Sequence, residues 1–290
     1  MPTIRVDDGR ELMYAEWGDP NGVPILSLHG TPGCRLNRPA LEDKVAAEGI
    51  RLVTYDRPGY GGSDRHHGRQ VVDCVGDVET LADALGIGRF GVTGGSGGGP
   101  HALAVGARLP ERVFAVFCVV GCAPYDAEGL DWFAGMDPEN VKEFGWAVEG
   151  EDVLTPALEE EMVKAQARVA EDPSTILGDF DLSEADRAVL ADPRVHTIIR
   201  ESLVEEFRQG VGGWADDDIC FITPWGFDVD ELTVPVEVRY GATDVLVPAA
   251  HGDWLAAHVP NAVAVKDPGE GHMSSPDKVV QELARLARMA

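Results

Sequence analysis

Basic residues are scarce in this sequence of 290 residues. Lysine and arginine together number 24 against 50 aspartates and glutamates, which gives a formal net charge of −26 at pH 7. A polyanion of this size is repelled by the phosphates of nucleic acids and by anionic lipid surfaces. We therefore expect neither nucleic acid nor a membrane surface as a partner.

Long apolar runs and paired cysteines are also absent. The sequence has no stretch of about 18 apolar residues that could span a membrane. Its first 13 residues carry charged side chains where a secretory signal needs an apolar segment. The five cysteines are scattered and include no C-x-x-C pair, which argues against a zinc or redox site. These absences predict a cytoplasmic protein whose cysteines are buried thiols.

Short apolar runs alternate with segments of helical period in the first and last parts of the sequence. The runs typical of buried strands are residues 23–28, 51–55, 90–93, 113–120, 234–240 and 262–266. The segments with helical period are residues 71–85, 100–109, 249–258 and 276–289. Two alternating runs within residues 3–17 indicate a β-hairpin. This order predicts an α/β fold with a mostly parallel central sheet flanked by helices.

The alternation of strands and helices stops between residues 125 and 230. This segment contains 27 acidic and 7 basic side chains, so it carries −20 of the net charge of −26. We predict that it is a helical cap inserted into a core domain formed by residues 1–124 and 231–290. A solvated acidic surface is the favoured explanation of its charge, and attraction of a cationic substrate is the alternative.

A glycine-rich turn joins the predicted strand at residues 90–93 to the helix that follows. Its sequence is Gly94-Gly95-Ser96-Gly97-Gly98, a G-x-S-x-G pattern in the strand-turn-helix context of a catalytic serine. A serine on a sharp turn needs neighbours without side chains, because helix and strand approach closely there. The pattern predicts Ser96 as a nucleophile, with Gly94 and Gly98 supporting the turn. A phosphate-binding turn is the alternative, but the lysine of that motif is missing.

A serine hydroxyl needs a general base to become a nucleophile, and the base needs an acid to orient it. His272 follows the strand at residues 262–266 in a glycine-containing loop, and Asp244 follows the strand at residues 234–240. Both side chains are therefore expected at the same edge of the sheet as Ser96. Asp126 also follows a predicted strand, at residues 113–120.

These motifs resemble those of the α/β-hydrolase fold superfamily, in which nucleophile, acid and base follow one another in this order. The resemblance spans nearly the whole chain. Some members of the superfamily place the acid after an earlier strand, so the resemblance makes Asp126 the alternative acid. The segment His29-Gly30-Thr31-Pro32-Gly33 is similar to the oxyanion loop of that family. The resemblance implies that the backbone N–H groups of Thr31 and Gly97 form the oxyanion hole, and that His29 and Gly30 support the loop.

A second segment also carries the resemblance. Residues 56–64, with the sequence DRPGYGGSD, resemble a mostly structural segment of the serine esterase, haloperoxidase-like and proline iminopeptidase-like branches. The resemblance implies a hydrolase that acts on a small-molecule substrate and needs neither a metal nor an organic cofactor. A serine at the nucleophile position argues against haloalkane dehalogenase and epoxide hydrolase activity, because those enzymes use aspartate there.

The aromatic residues of the predicted cap bear on the substrate. Four of the six tryptophans lie between residues 125 and 230, and some of them are predicted to line an apolar pocket. They are Trp132, Trp146, Trp214 and Trp225. The favoured function is therefore cleavage of a small to medium hydrophobic carboxylic ester through an acyl-enzyme.

The sequence leaves two other functions open. In an aminopeptidase resembling proline iminopeptidases, cap carboxylates such as those of Glu201, Glu205 and Glu206 would hold the ammonium group of the substrate. Against this function, Gly97 stands where those enzymes often carry an aromatic residue. The third function is that of a ligand receptor, or of a lyase that breaks C–C bonds, on the same fold.

Overall fold

The computed structural model describes residues 2–290, and within them eight strands form one sheet in the order β1-β2-β4-β3-β5-β6-β7-β8. The strands are β1 (Thr3–Arg5), β2 (Glu11–Gly18), β3 (Val23–Leu28), β4 (Ile50–Tyr55), β5 (Phe90–Gly95), β6 (Val113–Val119), β7 (Val236–Gly241) and β8 (Ala262–Asp267). β1 and β2 form the predicted hairpin, and β2 runs antiparallel to β4. The other pairs, from β4 to β8, are parallel. The mostly parallel sheet expected from the sequence is confirmed.

Helices cover both faces of the sheet. They are α1 (Glu42–Ala47), α2 (Cys74–Ala84), α3 (Gly98–Arg108), α4 (Pro138–Glu149), α5 (Glu151–Glu171), α6 (Glu184–Leu190), α7 (Pro193–Glu206), α8 (Gly212–Ile222), α9 (Ala249–His258) and α10 (Pro276–Ala287). The elements predicted outside residues 125–230 are present, with ends shifted by at most two residues, apart from a short 3₁₀ turn at Val71–Asp73 that precedes α2. Helix α1 was not predicted, because its six residues are too few to show a helical period.

The core has two layers because neighbouring strand residues point to opposite faces. Leu26 and Val92 are buried against α2, α3 and α9, whereas Ile25 and Phe117 are buried on the face covered by α1 and α10. Burial on both faces explains why the parallel strands are continuous apolar runs rather than alternating ones.

Helices α4 to α8 lie between β6 and β7 and pack around a cluster of their own. Leu154, Leu158, Leu203 and Trp214 belong to this cluster, together with Tyr60 from the loop after β4. Trp132 and Trp225, by contrast, belong to the main core. The segment between β6 and β7 therefore has an apolar cluster of its own and also packs against the core of the sheet.

The cysteines and the helices of the structure can be compared with the predictions of buried thiols and of no membrane span. The five cysteines are buried free thiols, and burial raises the pKa of Cys118 and Cys220 to about 12. Among residues 2–290, no helix combines the length and the apolar character needed to cross a bilayer.

Candidate active site

Ser96 lies on the sharp turn between β5 and α3 with a φ of 52°. This left-handed backbone conformation is costly for a residue with a side chain. The turn is possible because its neighbours are glycines: a Cβ on Gly94 would lie 2.0 Å from Gly98 O, and one on Gly98 would lie 2.2 Å from Leu28 O. The Ser96 N–H donates to Val119 O at 2.9 Å, which ties the turn to β6.

His272 and Asp244 form a hydrogen-bonded pair at the carboxyl edge of the sheet. His272 Nδ1 lies 2.8 Å from Asp244 Oδ2, and Asp244 Oδ1 accepts the backbone N–H groups of Leu246 and Val247, each at 2.9 Å. The carboxylate thus holds the proton on Nδ1 and leaves Nε2 as the basic nitrogen. Burial alone would lower the pKa of His272, but the charge of Asp244 and the hydrogen bond outweigh it and raise this pKa.

Ser96 and His272 line the same cavity, although no hydrogen bond between residues 2–290 joins the Ser96 hydroxyl to the imidazole. Catalytic hydrogen bonds are often loose in the absence of substrate and tighten when it binds. Asp126, the alternative acid, is exposed to solvent, and the acid that contacts His272 is Asp244. The structure therefore brings Ser96, His272 and Asp244 together at one edge of the sheet.

The loop after β3 approaches the serine turn closely. Thr31 faces Gly97, where a Cβ would lie 2.2 Å from Thr31 Oγ1. The backbone N–H groups of these two residues have no acceptor among residues 2–290. Two free N–H groups beside a serine hydroxyl are what an oxyanion requires.

His29 is a fixed structural group in this loop. Its Nε2 accepts the Arg57 backbone N–H at 3.0 Å, so its Nδ1 carries the proton and donates to Gly30 O at 2.7 Å. Burial and the nearby Arg57 guanidinium lower the pKa of His29 well below its ordinary value. The imidazole is therefore neutral and hydrogen-bonded through both of its nitrogens.

A buried aspartate of α8 anchors the same loop, and the sequence analysis did not identify it. Asp217 accepts from Thr31 Oγ1 at 2.6 Å, from Tyr60 OH at 2.9 Å and from the guanidinium groups of Arg57 and Arg69 at 2.5 and 2.6 Å. Burial would raise the pKa of Asp217, but the two guanidinium groups hold it well below its usual range. Arg57 also donates to Gly30 O at 2.9 Å. The network joins the loop after β3, the loop after β4 and α8.

A second buried aspartate, Asp186 of α6, holds the loop that carries His272. It accepts the backbone N–H of Met273 at 2.7 Å and the hydroxyl of Ser183 at 2.8 Å. A Cβ on Gly271 would lie 2.0 Å from Asp186 Oδ2, so a glycine is required there. The sequence showed Gly271 beside His272 but gave no sign of the carboxylate packed against it, 85 positions earlier in the chain.

The cavity at Ser96 has a volume of about 490 Å³ and extends beneath α4, α5 and α7. Its apolar lining residues include Trp146, Ile176, Phe180, Ile199, Leu203 and Trp214. Of the tryptophans expected to line a pocket, Trp146 and Trp214 do so here, and Trp132 lines a smaller adjoining cavity. An apolar cavity with a few polar groups is typical of small-molecule sites.

Three carboxyl groups at these cavities, two of them buried, lack a cationic partner. The carboxyl group of Glu206 has no hydrogen bond or ion pair with residues 2–290, and burial raises its pKa to about 8. Burial also raises the pKa of Glu143 to about 7 and that of the adjacent Asp218 well above its usual range. Asp218 is buried, and neither of its carboxyl oxygens has a hydrogen-bond partner among residues 2–290.

The other two carboxylates considered for an ammonium group are already paired. Glu201 pairs with Arg38 at 3.0 Å, and Glu205 pairs with Arg35 at 2.8 Å. Neither lines the cavity, whereas Glu206 does. Of the three acidic residues suggested by the sequence, only Glu206 faces the space beside Ser96.

One group of side chains has the spacing of metal ligands, but an arginine side chain already pairs with its carboxylates. Ligand atoms of His67, Glu151 and Asp216 lie within 4.8 Å of one another. Arg65 pairs with Glu151 at 2.8 Å and with Asp216 at 2.7 Å, so a guanidinium already supplies the positive charge. The group is therefore explained without a metal ion.

Comparisons with known proteins agree with the fold of this chain. Residues 23–279 match the family model described as alpha/beta hydrolase fold. The chain is 26% identical over 276 residues to a proline iminopeptidase of Neisseria meningitidis, covering 89% of this chain and 86% of that protein. Among solved structures, it is similar to an alpha/beta hydrolase fold protein from Nakamurella multipartita (24% identity, TM-score 0.68, 99% of both chains). It is also similar to a putative aryl esterase from Burkholderia cenocepacia (19% identity, TM-score 0.71, 99% of this chain and 98% of that one).

Proposed function

Because this chain belongs to the alpha/beta hydrolase fold family, we propose that it is a serine hydrolase that cleaves small to medium hydrophobic carboxylic esters through an acyl-enzyme. One observation carries the proposal. Ser96 on its glycine turn and His272 paired with Asp244 line the same largely apolar cavity.

The three side chains have distinct roles in the proposed reaction. His272 Nε2 takes the proton of the Ser96 hydroxyl as the oxygen attacks the acyl carbon, and it then gives that proton to the leaving alcohol. Asp244 holds the imidazole in the required tautomer and stabilises its charged form. A water molecule, deprotonated by His272, then attacks the acyl-enzyme. The bond between the acyl carbon and the Ser96 oxygen breaks, His272 returns the proton to that oxygen, and the carboxylic acid is released.

The oxyanion of each tetrahedral intermediate is bound by the backbone N–H groups of Thr31 and Gly97. Loss of one such donor typically costs about 10² to 10³ in rate, so the position of the loop after β3 matters as much as the base. Glycine at position 97 allows the two N–H groups to lie close together, because a side chain there would collide with Thr31.

We assign residues 1–124 and 231–290 to the catalytic core domain and residues 125–230 to a cap that covers the serine. Most of the apolar residues that line the cavity lie within residues 125–230. Such a lining favours an aliphatic or aromatic acyl or alcohol group over a sugar or a phosphate.

An aminopeptidase is the second candidate, and Glu206 is the observation that favours it. Its carboxyl is buried beside the cavity without a cation, and a substrate ammonium group would supply that charge. The Neisseria relative is a proline iminopeptidase, which acts in that class. An apolar ester needs no such partner, because a carboxyl with a pKa of about 8 is neutral at pH 7.

A substrate panel tests the two candidates together. We expect turnover of para-nitrophenyl acetate and butanoate by the wild type and none by Ser96→Ala, with kcat/KM for prolyl para-nitroanilide at least tenfold lower. Turnover of the anilide alone would replace the esterase proposal with the aminopeptidase. If neither class of substrate is hydrolysed, both candidates are wrong.

A further inference from the structure

A second cavity leads away from the proposed active site between the sheet and α10. Its volume is about 390 Å³, and Ser96 and His272 line both this cavity and the first one. The size lies within the range of about 300–1,000 Å³ that is usual for small-molecule pockets. Ser96 therefore lies where the two cavities meet. An ester has an acyl half and an alcohol half, and each cavity could bind one of them.

Small residues at the centre of the sheet create one wall of this cavity. Ser27 of β3 pairs in register with Thr93 of β5, and Thr93 pairs with Phe117 of β6. Ser27, Thr93 and Val119 remain partly exposed, although they lie on central strands of the sheet. Larger side chains at positions 27 and 93 would fill the space against α10.

The opposite wall is one face of α10. Pro276, Val279, Leu283 and Leu286 line the cavity, and their spacing of three or four residues places them on the same side of the helix. Ten residues of helix span about 15 Å. Because α10 begins four residues after His272, this wall runs from the proposed base towards the far end of the sheet.

The charges at this cavity are already neutralised. Arg38 pairs with Glu42 at 2.6 Å and with Glu201 at 3.0 Å, and Glu282 pairs with Arg239 at 3.1 Å. The first cavity differs, because Glu206 has no such partner there. An ionic group therefore finds no unpaired charge in the second cavity, whereas a hydrocarbon gains the burial of its surface.

We propose that the cavity between the sheet and α10 binds an unbranched hydrocarbon chain of the substrate, and that the first cavity receives the other half of the ester. The inference rests on the esterase function proposed above. It identifies the substrate class as esters with an aliphatic chain on one side of the scissile bond.

Two series of esters test this assignment and show which half carries the chain. One series varies the acyl chain of para-nitrophenyl esters from acetyl to dodecanoyl, and the other varies the alcohol of alkyl acetates from ethyl to dodecyl. In one series, kcat/KM should rise about fourfold for each methylene until the cavity is full. A rise in the first series assigns the cavity to the acyl chain, and a rise in the second assigns it to the alcohol. A flat profile in both overturns the proposal.

Substitutions at Val279 in the wall of the cavity should change the profile in opposite directions. Val279→Phe should lower the ratio of kcat/KM for the octyl member over the shortest member at least tenfold. Val279→Ala should shift the preferred chain to greater length, which a loss of folded protein cannot do. Val163→Phe is the matched control, because Val163 is 59% exposed on α5 and lies outside both cavities. An unchanged profile in both Val279 variants contradicts the proposal.

A binding experiment separates this inference from the proposed function. If no ester is hydrolysed, the esterase proposal fails, but the cavity can still be tested with methyl nonyl ketone, an uncharged ligand that the protein cannot hydrolyse. Calorimetry should show binding to the wild type and to Val163→Phe, and at least tenfold weaker binding to Val279→Phe. Equal binding to all three proteins, or no binding to any, overturns the inference.

Discussion

At the residue scale, the protonation of His272 controls the proposed chemistry. The base must be neutral to accept the proton of Ser96, and the charge of Asp244 raises its pKa despite burial. The proportion of neutral imidazole therefore falls as the pH drops through this raised pKa, and activity should be lost on the acid side. A general base with a pKa near the working pH is well suited to both halves of the reaction.

Asp244→Asn should separate the two effects of this aspartate. Removal of the charge lowers the pKa of His272, so the acid limb of the kcat/KM profile should move to lower pH. The amide also favours the wrong tautomer, so kcat should fall by about 10⁴. The pH dependence of para-nitrophenyl butanoate hydrolysis measures both effects.

Asp126→Asn is the control for this variant, since Asp126 is exposed and was the alternative acid in the sequence. It should behave like the wild type. If Asp126→Asn loses the activity and Asp244→Asn keeps it, the orienting acid has been assigned to the wrong residue.

Some residues of the site could be predicted from the sequence, and others could not. Ser96, Asp244 and His272 each follow a predicted strand in a recognisable local pattern, and the structure places them at one edge of the sheet. Asp217 has no such pattern, because its partner Arg57 lies 160 positions away and α8 had no predicted place in the fold. Carboxylates that are buried by tertiary contacts look like surface carboxylates in a sequence.

At the scale of elements, the helices inserted between β6 and β7 hold the loops of the site. Asp186 of α6 binds the loop of His272, and Asp217 of α8 binds the loop of Thr31. The insertion was predicted as a cap from its acidic composition and its lack of strands. Its contacts with the loops of the site could not be predicted, because composition does not reveal individual side-chain contacts.

Thr31→Val should show whether the bond to Asp217 positions the oxyanion loop. Valine keeps the shape of threonine and removes the hydroxyl, so the loop loses its bond to Asp217 and the bond donated by Arg57, while the other donors to Asp217 remain. We expect kcat to fall about ten- to hundredfold with KM changed less than threefold, because the oxyanion forms only in the transition state.

Thr31→Ser retains the hydroxyl and should recover most of the activity. Steady-state kinetics of the two variants therefore distinguish positioning from a general loss of structure, which would affect both. Equal losses in valine and serine variants, or a change confined to KM, would show that the hydroxyl does not act on the oxyanion.

At the scale of the whole molecule, the acidic side chains lie in two different environments, solvent and the protein interior. Most acidic residues of the insertion are solvated, as Asp152, Glu159 and Glu160 are, but Glu206 and Asp217 are buried at the site. The net charge of −26 therefore does not by itself describe the cavity. The fold determines which carboxylates meet solvent, which meet arginine and which stay neutral.

The topology of the sheet explains why residues that are far apart in the sequence lie close together. Ser96 and His272 are 176 positions apart, and they share a cavity because β5 and β8 end at the same edge of one parallel sheet. The order of strands and helices predicted this edge. The two chambers on either side of Ser96 could not be predicted, since they depend on how α7 and α10 pack against the sheet.

The central claim is that the hydroxyl of Ser96 is a nucleophile activated by His272. Mass spectrometry of the protein after treatment with a fluorophosphonate tests it most directly. One adduct should form on the peptide that contains Ser96, at least a hundredfold more slowly in His272→Ala and not at all in Ser96→Ala. An unmodified Ser96, or an adduct that forms equally fast without His272, would contradict the account.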